Sequence, residues 1–291
     1  MVENIKTYKQ KGNYVCLNGE FIKKNEITLL SNNRAFRYGD GVFETIRVIR
    51  KEPLFFSKHI KRLTNALSLL KIDFQKDTLE VKLKQDIVRL LNTNKFFAGA
   101  KIRITVYRES EGLYTPENNN MAYLIESSEV NDELYTLNTK GLNISIFHDI
   151  DLYYNQFSSF KSINSFPYIL AGIYSKNNNF DDCILTDNAS NLIEGISSNL
   201  FLLKNNSLFT PSTQSGCING IMRNIIIDIA LSKSMTVFDE AILTENDLLN
   251  ADEVFLTNVV SGVKWVLSYK KKRYYKRFSK LLIDELNKLI F

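Results

Sequence analysis

Apolar and polar positions alternate in short bursts at the start of the sequence, then switch to a helical period. YVCLNGEFI and GVFETIRVIRKEPLFF carry β-branched and aromatic residues around turn centres, Asn18-Gly19 in the first and Lys51-Glu52 in the second, and both predict hairpins. SKHIKRLTNALSLLKI then sets Ile60, Leu63, Leu67 and Leu70 on one helical face behind Ser57 as an N-cap, and TLEVKLKQDIVRLLN repeats the pattern. AKIRITVYRES and MAYLIESSE return to strand alternation, so the first 125 or so residues predict an α+β unit.

The polar stretch SSEVNDELYTLNTKG has no sustained apolar period, and a fresh strand pattern, LNISIFHDI, follows it. This predicts a domain boundary near residue 132, with domains over 1–131 and 132–291. Beyond it, DCILTD, NLIEG, NLFLLKNNSLFTP (turning at Asn205-Asn206) and EVFLTNVV read as short strands, while NSFPYILAGIYSKN and IMRNIIIDIALSKS read as helices. Internal repeats and low-complexity tracts are absent from the sequence.

Composition narrows the function classes. With 291 residues, 44% apolar, the chain can fill real cores, and its 12 Gly and 4 Pro leave little room for long disordered segments. The first twenty residues hold no apolar stretch of signal-peptide length, and no apolar run approaches a membrane span, which predicts a cytoplasmic protein with no membrane partner. Cys16, Cys183 and Cys217 are far apart and odd in number, as expected of reduced structural thiols.

The formal charge of +5 is local: seven basic residues fall between Lys270 and Lys280. There, Tyr275, Phe278, Leu282, Leu286 and Leu289 recur at helical spacing, which predicts a docked C-terminal helix with a solvated basic face and no nucleic-acid partner. Two histidines, His59 and His148, give no zinc-binding motif and little material for a Ser/His/Asp triad. Neither Walker-type nor dinucleotide-binding glycine patterns occur, and no metal site is expected.

Two segments carry candidate chemistry. TPSTQSGCINGIMRNIIIDIA turns through Gly216 and Gly220 and opens a helix near Ile221, whose first N–H groups could face an anion or be capped in the ordinary way. SSFKSINSFPYILAG sets Lys161 among small and apolar residues ahead of a helix, where it reads as a desolvated nucleophile or as a snorkelling surface lysine. Order adds what neither has alone: Glu194 in NLIEGISSNLF follows Lys161 by 33 residues, then come the TP turn, the glycine loop, its helix and Thr257 in LTNVV.

That order resembles the class IV aminotransferases, fold-type IV pyridoxal-phosphate enzymes that include branched-chain and D-amino-acid aminotransferases and 4-amino-4-deoxychorismate lyase. The resemblance spans nearly the whole chain, through RAFRYGDGVFETIR, HIKRL, FKSIN, EGISSNLF, GIMR and LTNVV. It implies an α+β two-domain fold, with a small N-terminal α+β domain, a larger α/β-barrel-like C-terminal domain and an active site between them. It also implies pyridoxal 5′-phosphate as cofactor, an amino acid and a 2-oxo acid as substrates, and a homodimer.

By the family pattern, Lys161 would form the Schiff base with the cofactor and shuttle the proton, and Glu194 would pair with the pyridine nitrogen. Arg62, the N–H groups of Ile221 and Met222 and the hydroxyl of Thr257 would hold the phosphate. Ser197, Ser198 and Asn199 would support the ring, while Tyr38, Phe43 and Arg47 match substrate-pocket positions. Arg103 matches a strand position near substrate carboxylate in some branches and equally reads as a surface arginine.

Departures bear on the branch. Branched-chain aminotransferases tend to place a tyrosine five residues after the lysine, bonded to the cofactor O3′, where this chain has Phe166, which cannot donate that bond. Asn164 matches the D-amino-acid and lyase branches, SGCINGIMRN and RESEGLYTP lean to the lyase, and EGISSN leans to the D-amino-acid branch. The expectation is therefore an aminotransferase, with the lyase that releases pyruvate and 4-aminobenzoate as the alternative. A silent binding paralogue is disfavoured because Lys161, Glu194 and Arg62 are all retained.

Overall fold

A computed structural model of the protein describes residues 12–28 and 30–290, so the expectation about the first eleven residues lies outside it. The chain divides into two compact units, Met1–Glu133 and Leu134–Phe291.

In the first unit the strands are β1 (Tyr14–Leu17), β2 (Glu20–Lys23), β3 (Gly41–Ile49), β4 (Glu52–Pro53), β5 (Gly99–Arg108) and β6 (Met121–Glu129), with helices α1 (Arg34–Tyr38), α2 (Phe56–Leu69) and α3 (Lys76–Asn94). The six strands form an antiparallel sheet in the order β2-β1-β6-β5-β3-β4. Helix α2 packs on β3, and α3 on β1 and β6. Leu63, Leu67, Leu83, Ile87 and Leu90 bury the apolar stripes of the two helices, while Ile46, Ile102 and Ile104 are buried in the sheet.

The first hairpin turns at Asn18-Gly19 as expected, both residues at positive φ, which matches the right-handed twist of the strands. The second turns one residue earlier than expected, at Arg50-Lys51, because Ile49 pairs with Glu52. Ser57 is not an N-cap. Helix α2 begins at Phe56 behind a left-handed Phe55 with no side-chain cap, and the Ser57 hydroxyl instead donates to Glu80 (2.7 Å). Burial of Leu54 and Phe56 fixes how the backbone turns into this helix. MAYLIESSE is β6 as expected, so Ser127 and Ser128, which the expected linker also included, belong to the strand, where Ser127 is buried and accepts from Asn94 (2.8 Å).

The second unit holds β7 (Leu142–Phe147), α4 (Phe166–Asn177), β8 (Asp182–Thr186), β9 (Leu192–Gly195), β10 (Asn199–Lys204), β11 (Ser207–Pro211), α5 (Ile221–Ser232), β12 (Thr236–Ala241), α6 (Glu245–Asn250), β13 (Glu253–Asn258), β14 (Gly262–Tyr269), β15 (Lys272–Arg273) and α7 (Arg277–Lys288). Its mixed sheet runs β12-β11-β10-β13-β14-β7-β8-β9 with β15 beside β14, and β9 also pairs with β10. That last pairing joins β10, β13, β14, β7, β8 and β9 into a closed ring, which leaves those six strands without an open edge. The two-unit fold is α+β, and its second unit is barrel-like.

Ile144, Ile184, Leu200, Val254, Leu256 and Val266 belong to one buried cluster of this unit. Helix α7 docks on β13 and β14 through Leu282, Ile283 and Leu286. Tyr275, expected on that helix, precedes it and is exposed, as is Leu289 at its end. Among the described residues no helix is long and apolar enough to cross a membrane.

Candidate active site

Residues opposite one another on antiparallel strands face the same side of a sheet, so register alone assembles the centre of the second unit. Glu194 on β9 pairs with Asn199 on β10, and Asn199 pairs with Thr257 on β13. Three sequence-predicted residues therefore form one row across the closing seam of the ring. The connection between β9 and β10 is tight: Gly195 N–H donates to Ser198 O (2.7 Å), and Ile196 N–H to the half-buried Asp182 carboxylate (3.1 Å).

Glu194 is 2% exposed. Tyr168 of α4 donates its hydroxyl to Oε1 at 2.7 Å, Asn199 donates Nδ2 to Oε2 at 3.2 Å, and Ile218 N–H reaches both oxygens at 3.2 Å. Hydrogen bonds from neutral donors favour the ionised carboxylate and offset the cost of burying it. The same contact acts on its partner: burial, then the Glu194 charge, push the Tyr168 hydroxyl far above the ordinary tyrosine range. Burial and Glu194 also raise the Cys217 thiol to about 12, which makes it an inert structural thiol.

Beside the row, α5 starts at Ile221 with Gly220 as an N-cap that offers no side-chain acceptor, so the first-turn N–H groups of Ile221 and Met222 receive no cap. A Cβ on Gly220 would collide with Asn199 Oδ1, which is why glycine stands there. Asn199 also donates to Ile218 O (2.8 Å), and the buried Arg223 donates to the carbonyls of Pro211 and Asp239. Thr257 is 1% exposed, and its Oγ1 has no hydrogen-bond partner among the described residues. A buried hydroxyl without a partner is costly and uncommon, and points to a polar ligand at that spot.

Lys161 sits half-buried in the irregular segment ahead of α4, seven residues before Tyr168. Ser198 is buried and accepts from Asn258 (3.2 Å), whereas Ser197 is exposed. Phe166 is 68% exposed at the start of α4, and the hydroxyl-bearing ring of that helix that reaches the row is Tyr168. Tyr168, the Ile218 N–H and Arg223 did not emerge from the sequence. The tyrosine two positions after Phe166 was the available signal.

In the first unit, strand alternation separates the candidates. Phe43 and Arg47 of β3 share one face with Arg103 of β5, where the Arg103 guanidinium lies 3.7 Å from the Phe43 ring centroid. Arg47 is buried and donates to Asp132 O (2.6 Å); burial lowers the proton affinity of Arg103. Tyr38, at the end of α1, packs against Tyr114 with ring centroids 5.6 Å apart.

Arg62 meets the opposite face. Its Nε and Nη2 fork onto the two oxygens of Glu44 at 2.7 Å each, and His59 Nδ1 lies 2.7 Å from the same carboxylate. Burial opposes the Glu44 charge, but Arg62 and His59 outweigh it and hold the carboxyl down at about 2. His59 is fully buried, and its Nε2 has no partner.

The sequence pattern of the family described as amino-transferase class IV matches residues 41–269, most of the chain. The chain belongs to the class IV aminotransferases. Among class IV relatives, the D-alanine aminotransferase of Staphylococcus haemolyticus is 28% identical over 253 residues, covering 86% of each chain. The aminodeoxychorismate lyase of Bacillus subtilis is 27% identical over 257 residues, covering 84% of this chain and 83% of its own. In fold, the chain is similar to the PLP form of the branched-chain aminotransferase from Thermobaculum terrenum, with a TM-score of 0.83 at 18% identity, covering 97% of this chain and 94% of that one. This class IV protein is therefore of a pyridoxal-phosphate enzyme family whose members are aminotransferases and lyases.

Proposed function

We propose that the protein is a pyridoxal 5′-phosphate-dependent aminotransferase that moves an amino group between an amino acid and a 2-oxo acid, with Lys161 as the residue that carries the cofactor. The observation that carries this reading is the row Glu194, Asn199 and Thr257 beside the uncapped start of α5. A buried hydroxyl without a partner, uncapped helix N–H groups and a buried carboxylate supplied with neutral donors suit a phosphorylated pyridine.

When bound, the cofactor supplies an electron sink for the pair left on the substrate α-carbon. The chain's own groups do the rest. Thr257 Oγ1 and the N–H groups of Ile221 and Met222 would hold the phosphate, and Glu194 would hold a proton at the ring nitrogen. The Lys161 amine would take the proton from the substrate α-carbon and hold it for return.

Glu194 is kept in one orientation by Tyr168, Asn199 and Ile218, so no side-chain rearrangement is needed before proton transfer. A second reading, elimination of pyruvate from 4-amino-4-deoxychorismate to leave 4-aminobenzoate, is supported by the nearly equal identity to a lyase relative.

Absorption spectroscopy of the cofactor-loaded protein tests both. A band that bleaches with L-glutamate or D-alanine and returns with a 2-oxo acid is the transaminase outcome. Pyruvate release from aminodeoxychorismate without an amino acceptor is the lyase outcome. Lys161→Ala is expected to abolish either turnover, and full activity in that variant would sink the assignment.

A further inference from the structure

The bond from Tyr168 to Glu194 is the shortest of the hydrogen bonds described at that carboxylate, and it comes from a helix rather than from the barrel that carries Glu194. The same helix follows directly on the Lys161 segment. Asn199 and the Ile218 N–H belong to β10 and to the loop ahead of α5, so they fix Glu194 to the barrel and the phosphate end. Tyr168 instead ties Glu194 to the element that leads from the lysine.

A phenol donating to a carboxylate forms a charge-assisted bond, stronger than the two longer amide contacts. Burial and the Glu194 charge keep its proton in place well beyond any working pH, so it is a permanent donor. A donor that cannot ionise does two things for a carboxylate: it selects one rotamer, and it makes the anion less eager to take up a proton.

We infer that Tyr168 is a positioning residue that sets the orientation and proton affinity of Glu194, so that the proton shared with a bound pyridine nitrogen stays on the ring. The inference rests on the proposed pairing of Glu194 with that nitrogen and deepens it. Loss of the hydroxyl leaves Glu194 with its amide donors but makes it a stronger competitor for the ring proton. Turnover then falls while substrate affinity, which Tyr168 does not touch in this reading, is kept.

The test uses full-length protein loaded with pyridoxal phosphate, in Tyr168→Phe, Glu194→Gln and the double variant, each first checked for a wild-type thermal midpoint. Tyr168→Phe is expected to lower kcat about tenfold or somewhat more, the size of one lost charge-assisted bond, with KM within about twofold. The double variant is expected to be no slower than Glu194→Gln alone, since Tyr168 acts through that carboxylate. Replacing Tyr168 with 3-fluorotyrosine, whose phenol is a stronger donor at nearly the same size, restores kcat, which a packing role would not require.

In the protein free of cofactor, the infrared carboxylate stretch of Glu194, assigned by its loss in Glu194→Gln, is expected to move in Tyr168→Phe. Multiplicative losses in the double variant, or a stretch that does not move, overturn the role of Tyr168 alone. A Glu194→Gln protein that binds and uses the cofactor as the wild type does overturns the reading of the site itself, whatever the stretch does.

Discussion

Two buried glutamates, one in each unit, are nearly equally hidden from solvent and are handled by opposite chemistry. Glu44 is surrounded by cationic or cation-capable groups, a bidentate Arg62 and His59, and its carboxyl is held at about 2. The donors described at Glu194 include a phenol, an amide and a backbone N–H, neutral groups that stabilise an anion without carrying charge themselves. The first arrangement is an ion pair within one unit of the fold; the second surrounds a carboxylate with neutral donors that fix its orientation. Burial of a carboxylate is therefore a poor guide to its role, and the formal charge of its donors is a better one.

Three substitutions and one titration would break or sharpen this contrast. The largest effect is expected from Glu194→Gln, which keeps the volume and loses the charge: turnover should fall about a thousandfold with the thermal midpoint little changed. If the midpoint collapses instead, Glu194 is structural and the contrast fails. Glu44→Gln should do the reverse, since taking the carboxylate away from a buried guanidinium costs about 3–5 kcal/mol of stability, read by chemical denaturation.

The acid side of the stability curve sharpens the same point. The folded carboxyl of Glu44 titrates below its ordinary value, so its contribution is complete above about pH 4.5 and is lost as pH falls toward about 2. The stability gap between wild type and Glu44→Gln should narrow across that window and stay constant above it. The smallest effect is expected from Thr257→Val, which removes a hydroxyl that has no partner among the described residues. Cofactor affinity, measured by equilibrium dialysis, should weaken about tenfold, while the cofactor-free protein keeps or gains stability.

Hairpins with an Asn-rich centre and amphipathic helices were legible because their signals are local: Asn18-Gly19 and Asn205-Asn206 adopt the positive φ their types favour. Elements without such signals were not read. The edge strand β12, TVFDEA, is mostly exposed and lacks apolar alternation, and β14 runs into a basic stretch that drew attention to charge instead. Helix α1 spans five residues between two turns, too short to show a period.

The candidate site divides in the same way. Lys161, Glu194 and Thr257 could be named only through an ordered set of motifs, since none stands out alone. Their arrangement is a matter of strand register, which a sequence does not display. Tyr168 lies 26 residues from its partner and looks in sequence like any aromatic on a helix; the unpartnered Oγ1 of Thr257 exists only once β10 and β13 are paired.

The pairing of Glu194 with Asn199 that closes the ring has a consequence for how such a protein can change. A join is where a cylinder of strands would first come apart, and here the join and the site's carboxylate are the same pair of residues. Strand pairing is made by backbone groups, so the seam holds position 194 in register with Asn199 whatever side chain stands there. The carboxylate's place is thus set by the architecture of the ring, and its charge by the side chain alone.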